Sequence, residues 1–212
     1  MPTRKTTFHN KWVYRVKDEH DGSRRYKARL VVKGFQQKEG VDYPKIFTPI
    51  VKLNTIKTML SIVASEELHL KQLDVKIAFR HGDLDEEIYM YQLEGFSEEG
   101  ENNMVCRLKK VLYGFKQAPR QWYKKFESFM HKEGFKKCNV DHFYFLKRYE
   151  SSYIILLLYV DDMVVAGSDM DKIKNLKIEL SKEFDMKDLG PAKKILGMKM
   201  TKDKQKGILQ LS

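Results

Sequence analysis

The chain has 212 residues, with 40 Lys and Arg against 29 Asp and Glu, and its formal charge of +11 points toward a polyanionic partner, most often nucleic acid. A composition of 42% hydrophobic and 33% charged residues fits one globular domain, or a large domain with a subdomain, and excludes collagen-like and disordered classes. The longest apolar run, Tyr153–Val160, is too short to span a bilayer, the polar Met1–Asn10 lacks the apolar core of a secretory signal, and the distant Cys106 and Cys138 suggest no disulfide framework and a reducing compartment.

In chain order, Lys11–Lys17 alternates apolar and polar residues and Tyr26–Lys33 does so less strictly. Asp21-Gly22-Ser23 between them is turn chemistry, which predicts a β-hairpin. Gly34, Gly40, Pro44 and Pro49 mark a loop. Leu53, Ile56, Met59, Leu60 and Val63 recur at helical spacing and predict an amphipathic helix. A short strand over His69–Val75 reaches Asp74, and an acidic loop follows, with strands at Glu87–Tyr91 and Met104–Leu108. Pro119 suits the first turn of a helix with Trp122, Phe126, Phe129 and Met130 on one face, closed by Gly134. Taken alone, Ile154–Val160 is a buried strand or a short buried helix. Because Asp161-Asp162 interrupts the run and Met163–Ala166 resumes it, the pair is predicted to be a hairpin with both acids at its tip. Asp169 can cap a helix with Ile173, Leu176, Leu180 and Phe184 inward. Asp188-Leu189-Gly190-Pro191 breaks that helix, and strands near Ile195–Thr201 and Ile208–Leu211 follow. This order is α+β with a largely antiparallel sheet.

The charge is unevenly placed. Residues 1–60 hold 14 basic and 5 acidic residues, 81–105 hold 8 acids and no Lys or Arg, and 106–137 hold 10 basic and 2 acidic residues. A surface that is merely soluble mixes its signs more evenly. Two basic blocks around an acidic strip therefore suggest a phosphate-binding surface, although any single lysine is more often only solvated.

Chemistry centres on Tyr159-Val160-Asp161-Asp162. Adjacent carboxylates at the tip of an apolar hairpin raise one another's pKa, and a sequence that keeps them usually has a cation to offset the repulsion. Mg²⁺ is the natural candidate, since it favours carboxylate oxygens and leaves positions open for substrate phosphates. Asp74, at a strand end, could complete a site for two metals about 3.5–4 Å apart, which would bind the attacking and leaving oxygens of a phosphoryl displacement. By itself each acid reads more simply, Asp161-Asp162 as a solvated turn and Asp74 as a strand-end cap.

Six segments stand in one order: Tyr26–Phe35 (YKARLVVKGF), Leu73–Phe79 (LDVKIAF), His81–Leu84, Glu87–Met90, Leu112–Arg120 (LYGFKQAPR) and Tyr159–Asp162 (YVDD). From about Lys11 onward the chain resembles the reverse transcriptase of copia-type LTR retrotransposons. The resemblance implies right-hand polymerase fingers and palm, an antiparallel palm sheet packed on helices, and a thumb largely absent. It implies an N-terminal extension over 1–10, fingers over about 11–70 and 81–112, and palm over about 71–80 and 113–212.

It further implies that Asp74 and Asp161 are metal ligands, with Asp162 the second hairpin acid, less directly a ligand. Two Mg²⁺ ions, with Mn²⁺ as substitute, would then serve transfer of dNTPs to a primer 3′-hydroxyl on an RNA or DNA template. For the nucleotide it implies Arg29 and Lys33 gripping the triphosphate, backbone amides from Val75 to Phe79 cradling it, and Phe79 excluding a ribose hydroxyl. Tyr113, Gly114 and Gln117 would lie by the nascent base pair, Gly114 allowing close approach of the template. Pro119, Arg120 and Lys124 fall to the template, and Leu196, Gly197 and Met198 to the primer terminus. A core Phe and solvated hairpin or helix faces are the plainer readings of Phe79, of Arg29 and Lys33, and of Arg120 and Lys124. Arg29 and Lys33 share a face if their strand is regular.

Ile77, Arg80, Leu93 and Phe143 depart from the family's Thr, Leu, Pro and Cys. Arg80 raises the prospect of a charge in a buried place, and with it the alternative of a weak or inactive nucleic-acid-binding derivative. A metal-dependent nuclease would explain neither Phe79 nor Gln117-Ala118-Pro119. The expected partners are template, primer and dNTPs, with oligomerisation or association with RNase H and integrase segments, and no membrane. The expected location is intracellular, in a cytoplasmic virus-like particle with a nuclear role.

Overall fold

The hairpin and helices expected from hydrophobic spacing are present in the computed structural model, which describes residues 6–18, 21–44, 46, 51–93, 96, 104–203 and 208–211. Residues 1–5, Pro49 and the acids Glu94, Glu98, Glu99 and Glu101 lie outside the described residues. The elements are β1 (Thr7–Phe8), β2 (Asn10–Asp18), β3 (Arg24–Val32), a 3-10 turn (Gly34–Gln36), α1 (Leu53–Ser65), β4 (His69–Val75), α2 (Ala78–His81), β5 (Tyr89–Tyr91) and β6 (Val105–Arg107). They continue with α3 (Ala118–Lys132), β7 (Lys136–Lys137), β8 (Tyr144–Arg148), β9 (Tyr153–Tyr159), β10 (Asp162–Gly167), α4 (Met170–Glu183), β11 (Met186–Pro191), β12 (Lys194–Ile195), β13 (Met198–Asp203) and β14 (Ile208–Leu211). The chain divides into two compact units, Met1–Thr48 with Phe79–Lys125 and Pro49–Ala78 with Phe126–Ser212.

In the first unit β2 and β3 pair without interruption from Asn10↔Val32 to Asp18↔Arg24. A second sheet has the order β1-β5-β6, β1 running parallel to β5. The core is Phe8, Val32, Ile88, Met90, Val111, Phe115 and Ala118. Phe8 is buried in it, so residues 7–10, expected as part of an extension, belong to the fold. Tyr113, which the resemblance places at the start of the second palm segment, lies in this unit, and its carbonyl accepts the Val32 N–H at 2.8 Å.

The second unit is built on a six-stranded antiparallel sheet ordered β11-β4-β10-β9-β8-β7. Ile154–Leu158 and Met163–Ala166 are buried throughout. Strands covered on both faces read as continuous apolar runs, which is why these two show no alternation. Among α1 residues, Ile56, Met59, Leu60 and Val63 are buried while Leu53, at the first turn, is exposed. Thr55 Oγ1 and the Lys52 N–H donate to Asp141 Oδ2 at 2.6 and 3.1 Å, so the start of α1, which the resemblance counts with the fingers, packs within this unit. Phe126 meets Phe145 edge-on at 5.7 Å and Phe184 at 5.9 Å.

Two expectations change here. Asp188–Pro191 does not end α4, which already stops at Glu183 with Phe184 as its C-cap; it lies in β11, an edge strand paired with β4 through an irregularity between Asp188 and Gly190. An edge is where a proline without an N–H is tolerated. The segment 195–201 is two strands, β12 and β13, joined at Leu196-Gly197, where both φ angles are positive (52° and 82°). That sign pattern matches a tight primed hairpin turn. The sequence reading contains no counterpart of β1, β7 or β8. Among the described residues, no helix is long and apolar enough to cross a membrane.

Candidate active site

Asp74 is the penultimate residue of β4, an interior strand of the sheet between β11 and β10. Across the ladder it stands opposite Asp162, the first residue of β10, which also pairs with Tyr159 of β9. Residues directly opposite in an antiparallel ladder project to the same face, with Cβ atoms about 4.5–5.5 Å apart. The hairpin tip is therefore Val160-Asp161, one residue earlier than the expected Asp161-Asp162. Val160 has φ +57° and Asp161 does not share the positive sign, so the tip follows the II′ pattern. Pairing Tyr159 with Asp162 adds one more rung to a buried ladder, and this fixes the register. The Asp161 carbonyl accepts the Val75 N–H at 2.8 Å, tying the tip to the strand that carries Asp74.

Three acids thus occupy one end of the sheet. Burial pushes the Asp162 carboxyl above its ordinary value, and the charges of Asp161 and Asp74 push it further, against a hydrogen bond from Gln72. Such a set gains from a cation, and its oxygen-only donors suit a hard divalent ion. Among the described residues, no three His, Cys, Asp or Glu side chains converge as a formed metal site. Gln72, two residues before Asp74 on the same strand face, is a contributor that the sequence reading missed; the two-residue spacing is its only signal. Leu196 and Ile195 line a cavity of about 10 Å³ together with Asp162, Gln72 and Tyr159, which brings one of the expected primer residues beside an acid. Gly197 and Met198 complete the β12–β13 turn next to it.

The expected amide cradle is reduced. Val75 donates to Asp161, and the Lys76 N–H donates to the Asp185 carbonyl at 2.8 Å. That leaves Ile77, with φ +54°, and the short α2 beginning at Ala78.

In the first unit Arg29, Tyr113 and Phe79 gather. The Arg29 guanidinium lies 5.5 Å from the Tyr113 ring centroid, and the Phe79 ring is 5.1 Å from it. Lys33 is not on their strand, because β3 ends at Val32 and a 3-10 turn follows, so the shared-face argument stops short of it. The two glycines nearby have an internal cause. A Cβ on Gly114 (φ +99°) would sit 2.1 Å from the Val32 carbonyl oxygen, and one on Gly34 would sit 1.8 Å from the Gly114 oxygen. Gly114 is thus required by the crossing of the chain over itself, with no need to invoke a close template. Gln117 is buried and accepts from Gln37.

Pro119 sits in the first turn of α3, and Arg120 is half-buried beside it. Lys124 pairs with Asp85 at 3.2 Å, Lys125 with Asp83 at 3.6 Å, and Lys110 with Asp83 as well. The Lys110 ammonium holds Asp83 below the usual carboxylate range, and Gln121, with Lys124, does the same for Asp85. The acidic strip and the second basic block therefore neutralise each other in part within one unit. Arg80 is exposed, so no charge is buried at that position.

A sequence model of the family described as reverse transcriptase (RNA-dependent DNA polymerase) matches residues 1–212. The chain is 54% identical over all its length to the Retrovirus-related Pol polyprotein from transposon TNT 1-94 of Nicotiana tabacum. It is 38% identical, over 88% of its length, to the corresponding polyprotein from transposon RE1 of Arabidopsis thaliana. With the Transposon Ty1-H Gag-Pol polyprotein of Saccharomyces cerevisiae it shares 29% over 80% of its length. It spans 16%, 13% and 9% of those three proteins, a small part of each. An apo telomerase structure from Candida tropicalis covers 99% of this chain and 56% of its own at TM-score 0.46 and 10% identity.

Proposed function

The chain belongs to the reverse transcriptase (RNA-dependent DNA polymerase) family of retrotransposon Pol polyproteins, and on that premise we propose that it is the RNA-directed DNA polymerase core of an LTR retrotransposon. It adds dNTPs to a primer 3′-hydroxyl on an RNA or DNA template. The observation that carries this reading is the cross-strand pair Asp74 and Asp162 with Asp161 at the adjoining tip. A mutually repelling, partly buried set of carboxylates is costly unless a cation joins it.

Asp74 and Asp161 would hold the cations through their carboxylate oxygens, and Asp162 would add negative charge beside them. Bound there, two Mg²⁺ ions, with Mn²⁺ as substitute, would supply the Lewis acidity that eases ionisation of the primer hydroxyl and stabilises the departing pyrophosphate. Arg29, with Lys33, attracts the triphosphate, and Phe79 closes the space a 2′-hydroxyl would need. Tyr113, Gly114 and Gln117 contact the nucleotide, Pro119, Arg120 and Lys124 the template, and Leu196, Gly197 and Met198 the primer end. RNase H and integrase segments are proposed partners, and a cytoplasmic virus-like particle, with a nuclear stage, the proposed location. The exposed Arg80 removes the buried charge that favoured an inactive derivative.

The test is extension of a labelled primer on RNA and DNA templates. Asp161→Asn, which keeps the size of the side chain, should slow extension by at least about 10²-fold, the scale of losing a preorganised charge-stabilising group. Extension at the wild-type rate by that variant would rule the mechanism out.

A further inference from the structure

The first unit contains a buried polar chain whose direction is fixed. Gln37 and Gln117 are 4% and 1% exposed, and side chains this deep are normally hydrogen-bonded throughout. Gln37 Oε1 accepts the backbone N–H of Lys116 at 2.8 Å, and Gln37 Nε2 donates to Gln117 Oε1 at 2.9 Å. The Lys116 ammonium in turn donates to the Gln37 carbonyl at 3.2 Å and lies 5.2 Å from the Tyr43 ring centroid.

A backbone N–H can only donate, so Gln37 must turn its oxygen to Lys116 and its nitrogen to Gln117. Gln117 must then offer its oxygen to Gln37, since the opposite orientation would set two NH₂ groups against each other. The amide assignment therefore follows from the network. Its consequence is that Gln117 Nε2 faces away from Gln37, buried and with no hydrogen-bond partner among the described residues. A buried donor left in this state carries an uncompensated desolvation cost, which an acceptor reaching it would relieve.

Granting the polymerase reading above, we propose that Gln37 is a positioning residue for the nucleotide site: it locks the Gln117 amide so that Nε2 is presented as a donor to an oxygen of the incoming nucleotide. Gln37 need not touch the nucleotide. It decides whether Gln117 offers a donor or an acceptor.

Gln37→Glu tests this directly. The carboxylate still accepts from the Lys116 N–H but can only accept from Gln117 as well. The Gln117 amide then rotates, gives Nε2 to the new carboxylate and presents Oε1 instead. With the chain bound to primer–template, KM and kcat for a dNTP are measured for wild type, Gln37→Glu, Gln117→Met and the double variant, alongside dNTP binding and thermal melting. Gln37→Glu should raise KM by about 10-fold, the scale of one hydrogen bond, while kcat stays within about twofold. Its melting temperature should hold, because the rotation satisfies the formerly unpartnered donor, and the Gln117 side-chain amide proton resonances should move downfield. In the double variant the KM should equal that of Gln117→Met alone, since the two act through one group.

A folded Gln37→Glu with wild-type KM, or effects that add in the double variant, overturns the proposal. If Gln37→Glu does not fold, Gln37→Met, which removes both bonds at similar volume, takes its place with the same expected rise and the same overturning result. Wild-type chain that binds dNTP without extending the primer still decides the matter through the binding constants. Wild-type chain that neither binds nor extends refutes the polymerase reading and this proposal with it.

Discussion

Val160 and Ile77 carry the backbone into the left-handed region, at φ +57° and +54°. For a β-branched residue this conformation stores strain of order 1–3 kcal/mol and persists only where its surroundings enforce it. Here the enforcing contacts are visible: the Asp161 carbonyl is held by Val75, and Lys76 is held by Asp185 through both backbone and side chain, at 2.8 and 2.9 Å. Phe79 lies two residues beyond Ile77, partly buried against the core of the first unit and tilted on Tyr113. Its ring therefore has a packing role apart from any contact with a sugar. Phe79→Ala should cost about 1–3 kcal/mol in urea denaturation, less than a fully buried phenylalanine. If the ring also blocks a 2′-hydroxyl, the same variant should lose about 10-fold or more of its preference for dNTPs over NTPs. Folded protein with unchanged preference would leave only the packing role.

Among the elements, α4 shows most plainly how a local signal becomes structure. The Asp169 carboxylate accepts the N–H groups of Asp171 and Lys172 at 2.9 and 3.1 Å, and Ile173, Leu176 and Leu180 are buried. Asp169→Ala should destabilise the chain by about 1 kcal/mol, seen as a shifted denaturation midpoint at unchanged slope. No shift would mean that water caps the helix equally well. The crossing of Gly34 over Gly114 obeys different physics, since it involves two backbones and leaves no flexible side chain to yield. Gly34→Ala should therefore cost about 3 kcal/mol or more, the upper range for overpacking, and expression as soluble, cooperatively melting protein would contradict that packing.

At the scale of the whole molecule, the +11 charge is less available to a polyanion than its size suggests. Asp83, Asp85 and Glu87 engage Lys110, Lys124, Lys125 and Arg107, so part of the second basic block already has counter-charges. Exposed pairs of this kind contribute about 0–1 kcal/mol each, yet they compete directly with phosphates. Asp85→Asn should release Lys124 and tighten primer–template binding. The plot of log affinity against log salt should steepen by up to about 0.9, the value for one additional phosphate contact. Unchanged affinity and slope would mean that Lys124 does not face nucleic acid.

Local events were legible in the order of the residues alone. Spacing located α1 and α4, the turn residues located the β2–β3 hairpin, the apolar runs around the two acids located the β9–β10 pair, and the motif order identified the family. These depend on side-chain period, capping and turn propensity, which act over a few residues. Tertiary structure decided what depends on distant partners. It set the Tyr159↔Asp162 register that moves the tip to Val160-Asp161, because a ladder is fixed by both strands and their covering layers. It made β11 a strand through pairing with β4, although Gly190 and Pro191 argue locally for a break. It gave Gly114 its cause in Val32, and it joined Gln37 to Gln117 across 80 positions of sequence. A hydrogen bond or a steric contact between remote segments leaves no periodic trace in either one, so only the folded chain could reveal it.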